Sequence, residues 1–243
     1  MTAAASLEIV AAVTSDLTPL AERARWAVIA LVAVIATDVL AIGSDWLEID
    51  LMNRVLDGAD VSFDDLDAND TRQGVAGLLS FGAFIAAVFL FLRWFHAAYR
   101  NLKALGQPNL RFTTGWAIGG WFVPFLNLWR PKQIANDIWT GSGPDTPTLD
   151  GTAWWKDQPI PPLLGVWWAA WIISIYVDNI GLRTLFNTDT AEEVRTADWV
   201  DITSLVVDAV AAILAIQVVR RLTARQEEQI ARTQTGAATM SEA

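Results

Sequence analysis

Apolar residues gather in four long runs: Trp26–Gly43, Gly74–Leu92, Leu163–Ile180 and Trp199–Val219. A helix takes about 20 residues to cross a bilayer, within a range of about 17–25, and each run is of that order. None shows the period-two alternation of a barrel strand, so the runs predict helices, whose backbone is satisfied within the segment. A fifth stretch, Phe112–Trp129 (FTTGWAIGGWFVPFLNLW), is long enough to cross but holds four glycine or proline breakers and an asparagine. The basic residues arbitrate, because Lys and Arg collect on the cytoplasmic side. With the fifth stretch not crossing, they divide 13 inside to 4 outside; with it crossing, 8 to 9. The expected architecture is all-α: a membrane domain over 26–219 with four spans, both termini cytoplasmic, and a re-entrant or interfacial Gly/Trp/Pro segment on the cytoplasmic side. Residues 1–25 form an N-terminal lead, 44–73 an acidic outer loop, 93–162 an inner region and 220–243 a cytoplasmic tail. The last stretch, 231–243, reads as unstructured polar chain.

Composition sharpens this. Hydrophobic residues make up 53% of the chain and charged residues 18%, against about 25% charged in a soluble domain. Of the 13 tryptophans, Trp26, Trp46, Trp94 and Trp199 stand at span ends, where indoles favour the headgroup layer. The absence of cysteine excludes disulfides, thiolate metal sites and cysteine nucleophiles. The single histidine, His96, excludes a histidine-rich metal site and reads as a packing or interfacial residue. A net charge of −10 argues against nucleic acid, which needs a basic face. No phosphate-binding loop, nucleophile elbow or H-E-x-x-H pattern occurs, so neither an enzyme nor a cofactor is expected.

The outer loop carries nine acids and two arginines. Asp65, Asp67 and Asn69 follow the first half of a calcium loop, but Asp70 replaces the turn glycine and Ala76 the bidentate glutamate. A solvated acidic loop without a metal is the reading. The inner region opens as an extension of the second helix (RWFHAAYRNLKALG). Gly115 and Gly119 form a spacing that permits close helix contact, and Pro124 interrupts the segment. Pro131 suits the first turn of an amphipathic helix, Pro131–Trp139, with Ile134, Ala135, Ile138 and Trp139 on one side. Trp154 and Trp155 return to the interface.

The runs FLRWFHAAYRNLKALG (Phe91–Gly106), GWAIGGWFVPFLNLWRPKQIANDIW (Gly115–Trp139) and LLGVWWAAWIIS (Leu163–Ser174) resemble the bacterial family of domains of unknown function numbered 4328. Trp116, Gly120, Trp121, Phe122, Pro124, Asn127, Leu128, Trp129, Pro131 and Gln133 carry its W-x-x-x-G-W-F-x-P-x-x-N-L-W-x-P-x-Q pattern. The resemblance implies a multi-pass protein of a bacterial plasma membrane and no particular activity.

Charged groups inside a membrane are costly and therefore suspects for function. Four carboxylates qualify: Asp38, Asp178, Asp201 and Asp208. Asp38 lies 12 residues from the inner end of its span, about 18 Å up. Asp208 lies 9 residues from the outer end of its own, leaving roughly 16 Å of a ~30 Å core below it. Facing each other, these two form a proton or cation site; otherwise they are interhelical hydrogen-bond anchors. Asp178 and Asp201 lie nearer the outer boundary. Trp167, Trp168 and Trp171 read as packing against the Gly-rich segment. Asn127, Gln133, Asn136 and Asp137 read as caps for backbone freed around Pro124 and Pro131, or as a polar crevice. Gly82/Ala86 and Ala211/Ala215 offer helix-contact faces. The leading expectation is a non-enzymatic membrane scaffold, sensor or partner-binding subunit, in contact with lipid and with a homo-oligomer or protein partner at the cytoplasmic face. The alternative is a small oligomeric proton- or cation-coupled transporter or channel component using Asp38 and Asp208.

Overall fold

A computed structural model describes residues 17–107, 109–143, 159–185 and 189–242. Among them all regular structure is helical: α1 (Ala21–Leu56), α2 (Phe63–Ala104), α3 (Trp116–Gly119), a 3₁₀ turn (Leu126–Leu128), α4 (Arg130–Gly141), α5 (Pro162–Leu185) and α6 (Ala191–Glu242). Helices α1, α2, α5 and α6 are long and apolar enough to cross a membrane, and each contains one of the four predicted runs. Residues 154 and 155 and the first sixteen lie outside the described residues.

The segment read as an acidic outer loop is mostly helix. Helix α1 continues to Leu56 and α2 begins at Phe63, leaving a short link. Gly58, at φ 76°, ends α1. Its amide donates to Val55 O and that of Ala59 to Arg54 O, a double closure that a left-handed residue permits. Ser62 and Asp65 then form a reciprocal cap at the start of α2: the Asp65 amide donates to Ser62 Oγ, and the Ser62 amide to Asp65 Oδ2. Such a cap contributes about 1 kcal/mol. Asp65, Asp67 and Asn69 are therefore helical, and the half calcium loop is not a loop. Helix α6 likewise runs to Glu242 where an unstructured tail was expected; its residues there are largely good helix formers, and Arg232 pairs with Glu228 one turn back at 2.7 Å.

The contacts divide into two units. The first comprises residues 28–88 and 166–216. Its large apolar side chains point outward, among them Val39, Leu40, Leu78, Phe81, Ile173 and Ile213, while Ala30, Ala41, Ala87, Ala211, Ala212 and Ala215 are buried. Small residues inside and large ones outside suit a bundle solvated by lipid, where close backbone approach holds helices together. Ala211 and Ala215 are used within this unit, whereas Gly82 faces open space. Along α5, Trp167 meets Trp168 edge-on at 5.6 Å and Trp168 stacks on Trp171 at 4.6 Å between centroids.

The second unit draws on residues 1–27, 89–165 and 217–243. It has an ordinary dry core: Trp94, Phe95, Tyr99, Leu102, Ile134, Ile138, Val218, Val219 and Leu222 are all but inaccessible. Each such side chain contributes about 1.5–3 kcal/mol. Trp94, expected at the headgroup layer, is fully buried because its Nε1 donates to Thr223 Oγ1 at 3.0 Å. Gln226 is the polar centre. Its Nε2 donates to Ala98 O (2.8 Å) and Ser142 Oγ (3.1 Å), and its Oε1 accepts from Asn101 (3.3 Å). Asn101 also exchanges two 3.0 Å bonds with the Thr18 backbone. Helix α2 closes at Gly106, φ 93°. The Tyr99 hydroxyl donates to Phe112 O (3.2 Å) and accepts from Phe112 N (3.0 Å), pinning the entry to the Gly/Trp segment.

Within Phe112–Trp129 the regular structure is a four-residue helix and a 3₁₀ turn, too short to cross a bilayer. Phe125 sits at φ 64°, ψ −44°, with Leu126 N donating to Pro124 O at 2.8 Å. This is a classic γ-turn, a rare and strained conformation for a non-glycine residue. It leaves Phe122 and Phe125 exposed.

Candidate intramembrane carboxylate site

The lipid-facing unit contains a series of acids. Asp38 and Asp45 lie seven residues apart on α1, and Asp201 and Asp208 seven apart on α6, so each pair shares a helix face. Asp38 is 4% exposed and one of its oxygens has no hydrogen-bond partner. The charges it feels are those of Asp208 and Asp201. Asp208 is within hydrogen-bonding reach of Asp178 and Ser174. Two carboxyl groups hydrogen-bond to each other only through a proton, so the pair can hold one proton, or a cation, between its oxygens. One seven-residue interval along α6, Asp201 reaches Asp45 in the same way.

A second cluster adjoins this pair. Asp45, Glu48 and Asp198 each offer an oxygen within 4.8 Å of the others, and Asp45 and Asp198 are buried. Helix α2 holds them. Gln73 Nε2 donates to Asp45 Oδ1 (3.3 Å) and to Glu48 Oε2, and Asn69 Nδ2 donates to Glu48 Oε1 (2.8 Å). Ser44 Oγ donates to Gln73 Oε1 (2.6 Å) and accepts from Arg72 Nε (3.0 Å). An all-oxygen set of this kind suits a hard cation such as Mg²⁺ or Ca²⁺, with water completing the shell. Arg72 is the cation whose field reaches Asp45; the charges acting on Asp38, Asp178, Asp198 and Asp208 are those of other carboxylates.

The sequence puts Asp38 and Asp208 at similar depth, and in the structure the field of Asp208 reaches Asp38. Asp45 and Glu48 fall in the stretch read as a solvated loop, and Asp198, just before the fourth run, was not singled out. The signal was present in the equal seven-residue spacings on α1 and α6.

The Gly/Trp/Pro residues belong to the other unit and make a different environment. The Arg130 guanidinium lies 3.8 Å from the Phe112 centroid and 5.4 Å from that of Trp116. Trp121 meets Phe91 and Phe95 edge-on, at 5.5 and 5.8 Å. Close approach falls at Gly120, not at the Gly115/Gly119 pair: a Cβ on Gly120 would lie 2.8 Å from Arg130 Cγ and Trp116 O. Pro131 sits in the first turn of α4, without a side-chain cap. Backbone freed around Pro124 is met by backbone, Asn127 N donating to Val123 O at 3.1 Å. The expected polar group separates. Asn136 accepts from Lys132 Nζ at 2.6 Å, Gln133 and Asn127 are half-buried, and Asp137 turns into the core at 1% exposure. Burial pushes the Asp137 carboxyl up to about 7, against the pull of Arg111 and Arg130. Burial also lowers the Lys132 ammonium. Trp129 is exposed.

Four apolar helices of spanning length, three of them carrying buried or half-buried acids, define an all-helical polytopic membrane protein. The chain belongs to the family described as domain of unknown function DUF4328, whose model matches residues 57–224. No curated protein and no solved structure matches it.

Proposed function

We propose that the protein is a non-enzymatic, oligomeric membrane subunit that holds and passes protons or cations through its lipid-facing unit. The observation that carries this reading is the series Asp38, Asp208, Asp178, Asp201 and Asp45, whose carboxylates lie in one another's fields, with Arg72 the cation that reaches Asp45. Charged groups at such depth are retained where an ion pathway needs them. Four spans are few for a monomeric pathway, and the open Gly82 and Ala86 face gives helices of a second copy room to approach. The arginine and lysine distribution favours a bacterial plasma membrane with both termini cytoplasmic. The exposed Phe122–Phe125 tip favours a segment that enters the bilayer from that side. Reporter fusions after Lys156 and at the C-terminus test this threading, and an external signal at both would overturn it.

Flux in proteoliposomes tests the function. Wild type should carry a proton or cation current, lost in Asp38→Asn and in Asp208→Asn. A folded wild type without flux would refute the transport reading in favour of a scaffold or partner-binding subunit.

A further inference from the structure

The start of α1 and the second half of α2 enclose a cavity of about 170 Å³, lined by Pro19, Glu22, Arg23, Trp26, Leu90 and Arg93. All six belong to the densely packed unit. The volume is well below the roughly 300–1,000 Å³ of a pocket for a drug-sized ligand and suits a single compact group. Arg23 and Arg93 both face it, and Arg23 also lies in the field of Arg100. Arg93, His96 and Arg100 follow one another at three and four residues on α2, so they form one basic stripe on that helix. Arg25 is engaged with the Trp26 ring at 5.5 Å, and Arg100 donates to Thr18 Oγ1. Glu22 is the carboxylate whose field reaches Arg23. Two guanidinium groups thus line a cavity with one acid, Glu22, in its wall, and an anion seated there relieves the repulsion that Arg93 and Arg100 exert on Arg23. Guanidinium forks match the paired oxygens of a phosphate.

The walls identify the source of the phosphate. Trp26 opens the first apolar run, and Leu90 stands two residues before the end of the second. Trp26 is 44% exposed. An exposed indole beside a leucine, one turn from arginines, marks the depth at which acyl chains give way to headgroups.

We infer that this cavity binds the headgroup phosphate of an anionic phospholipid, with Arg23 and Arg93 gripping the phosphate and Trp26 and Leu90 lying along the start of the acyl chains. The site is independent of the carboxylate series and of any flux through it.

Native mass spectrometry of the detergent-purified full chain, with phosphatidylglycerol, phosphatidylcholine or inorganic phosphate added, tests this. Wild type should retain phosphatidylglycerol in preference to phosphatidylcholine. A basic residue near an anionic surface is worth about five-fold in affinity. Retention should therefore fall about five-fold in Arg93→Gln and further in Arg23→Gln/Arg93→Gln. It should be unchanged in Arg54→Gln, whose exposed side chain pairs with Asp50. Arg93 is exposed, so the single variant keeps its fold and decides the matter even if the double variant does not. Equal retention in wild type and Arg93→Gln, or an equal loss in Arg54→Gln, would overturn the site. Arginine-dependent retention of inorganic phosphate without phosphatidylglycerol would overturn the lipid assignment.

Discussion

Asp137 provides a stability test with a defined sign. Its carboxyl is 1% exposed and faces Arg111 at 3.9 Å, a distance at which the pairing offsets only part of the desolvation cost. The group is pushed from its ordinary 3.8 to about 7 in the folded protein. In the unfolded chain the ordinary value returns. Between about pH 4 and pH 7 the folded state therefore holds a proton that the unfolded state lacks. Stability from this group is complete below about pH 4 and is lost as pH rises through 7. The whole window corresponds to about 4 kcal/mol, of which about 3 kcal/mol falls between pH 5 and pH 8. Asp137→Asn cannot ionise and escapes this loss. Denaturant unfolding in detergent, followed by tryptophan fluorescence, should show the variant gaining on wild type by about 3 kcal/mol between pH 5 and pH 8. Reading the difference between the two proteins cancels every other titrating carboxylate. A difference that stays constant with pH, or that shrinks at pH 8, would refute the reasoning.

Two further substitutions probe the same unit. Gln226→Leu removes from a dry core the hydrogen bonds to Ala98, Ser142 and Asn101, leaving Asn101 only its bonds to Thr18; it should cost about 2–4 kcal/mol, and an unaltered melting temperature would contradict that role. Gly120→Ala forces a Cβ to within 2.8 Å of Arg130 and Trp116 and should cost about 1–3 kcal/mol. Gly119→Ala meets nothing closer than its own helix's Trp116 at 4.0 Å and should stay within about 0.5 kcal/mol. Thermal unfolding of the two variants side by side checks the contrast.

The spanning helices were legible because their signal is local: an apolar window of the right length needs no knowledge of neighbours. Helix α4 was legible for the same reason, from Pro131 and the spacing of Ile134 and Ile138. Features made by distant residues were not. Trp94 follows the rule for span ends until Thr223, 129 residues away, supplies its indole with a buried acceptor. The acid-rich stretch after Ser44 looks like a solvated loop until Asn69, Arg72 and Gln73 return along α2 to hold Ser44 and Glu48. The same return positions Asp45 and Glu48, which is why the outer part of the carboxylate series escaped notice while Asp38 and Asp208, conspicuous in apolar surroundings, did not. Gly120 differs from Gly115 and Gly119 only through what stands beside it.

The seven-residue interval breaks any direct hydrogen-bonded chain between the two carboxylate pairs while leaving them within one another's field. From Asp201 to Asp208 the helix rises about 10.5 Å, and no hydrogen bond spans that length. Ser204 stands on the same face in the gap, buried, its hydroxyl donating to Val200 O at 3.2 Å. Gly181 leaves that hydroxyl room: a methyl there would sit 3.4 Å from its oxygen. The serine, and not an acid, therefore occupies the break in the series, with its hydroxyl already committed to Val200.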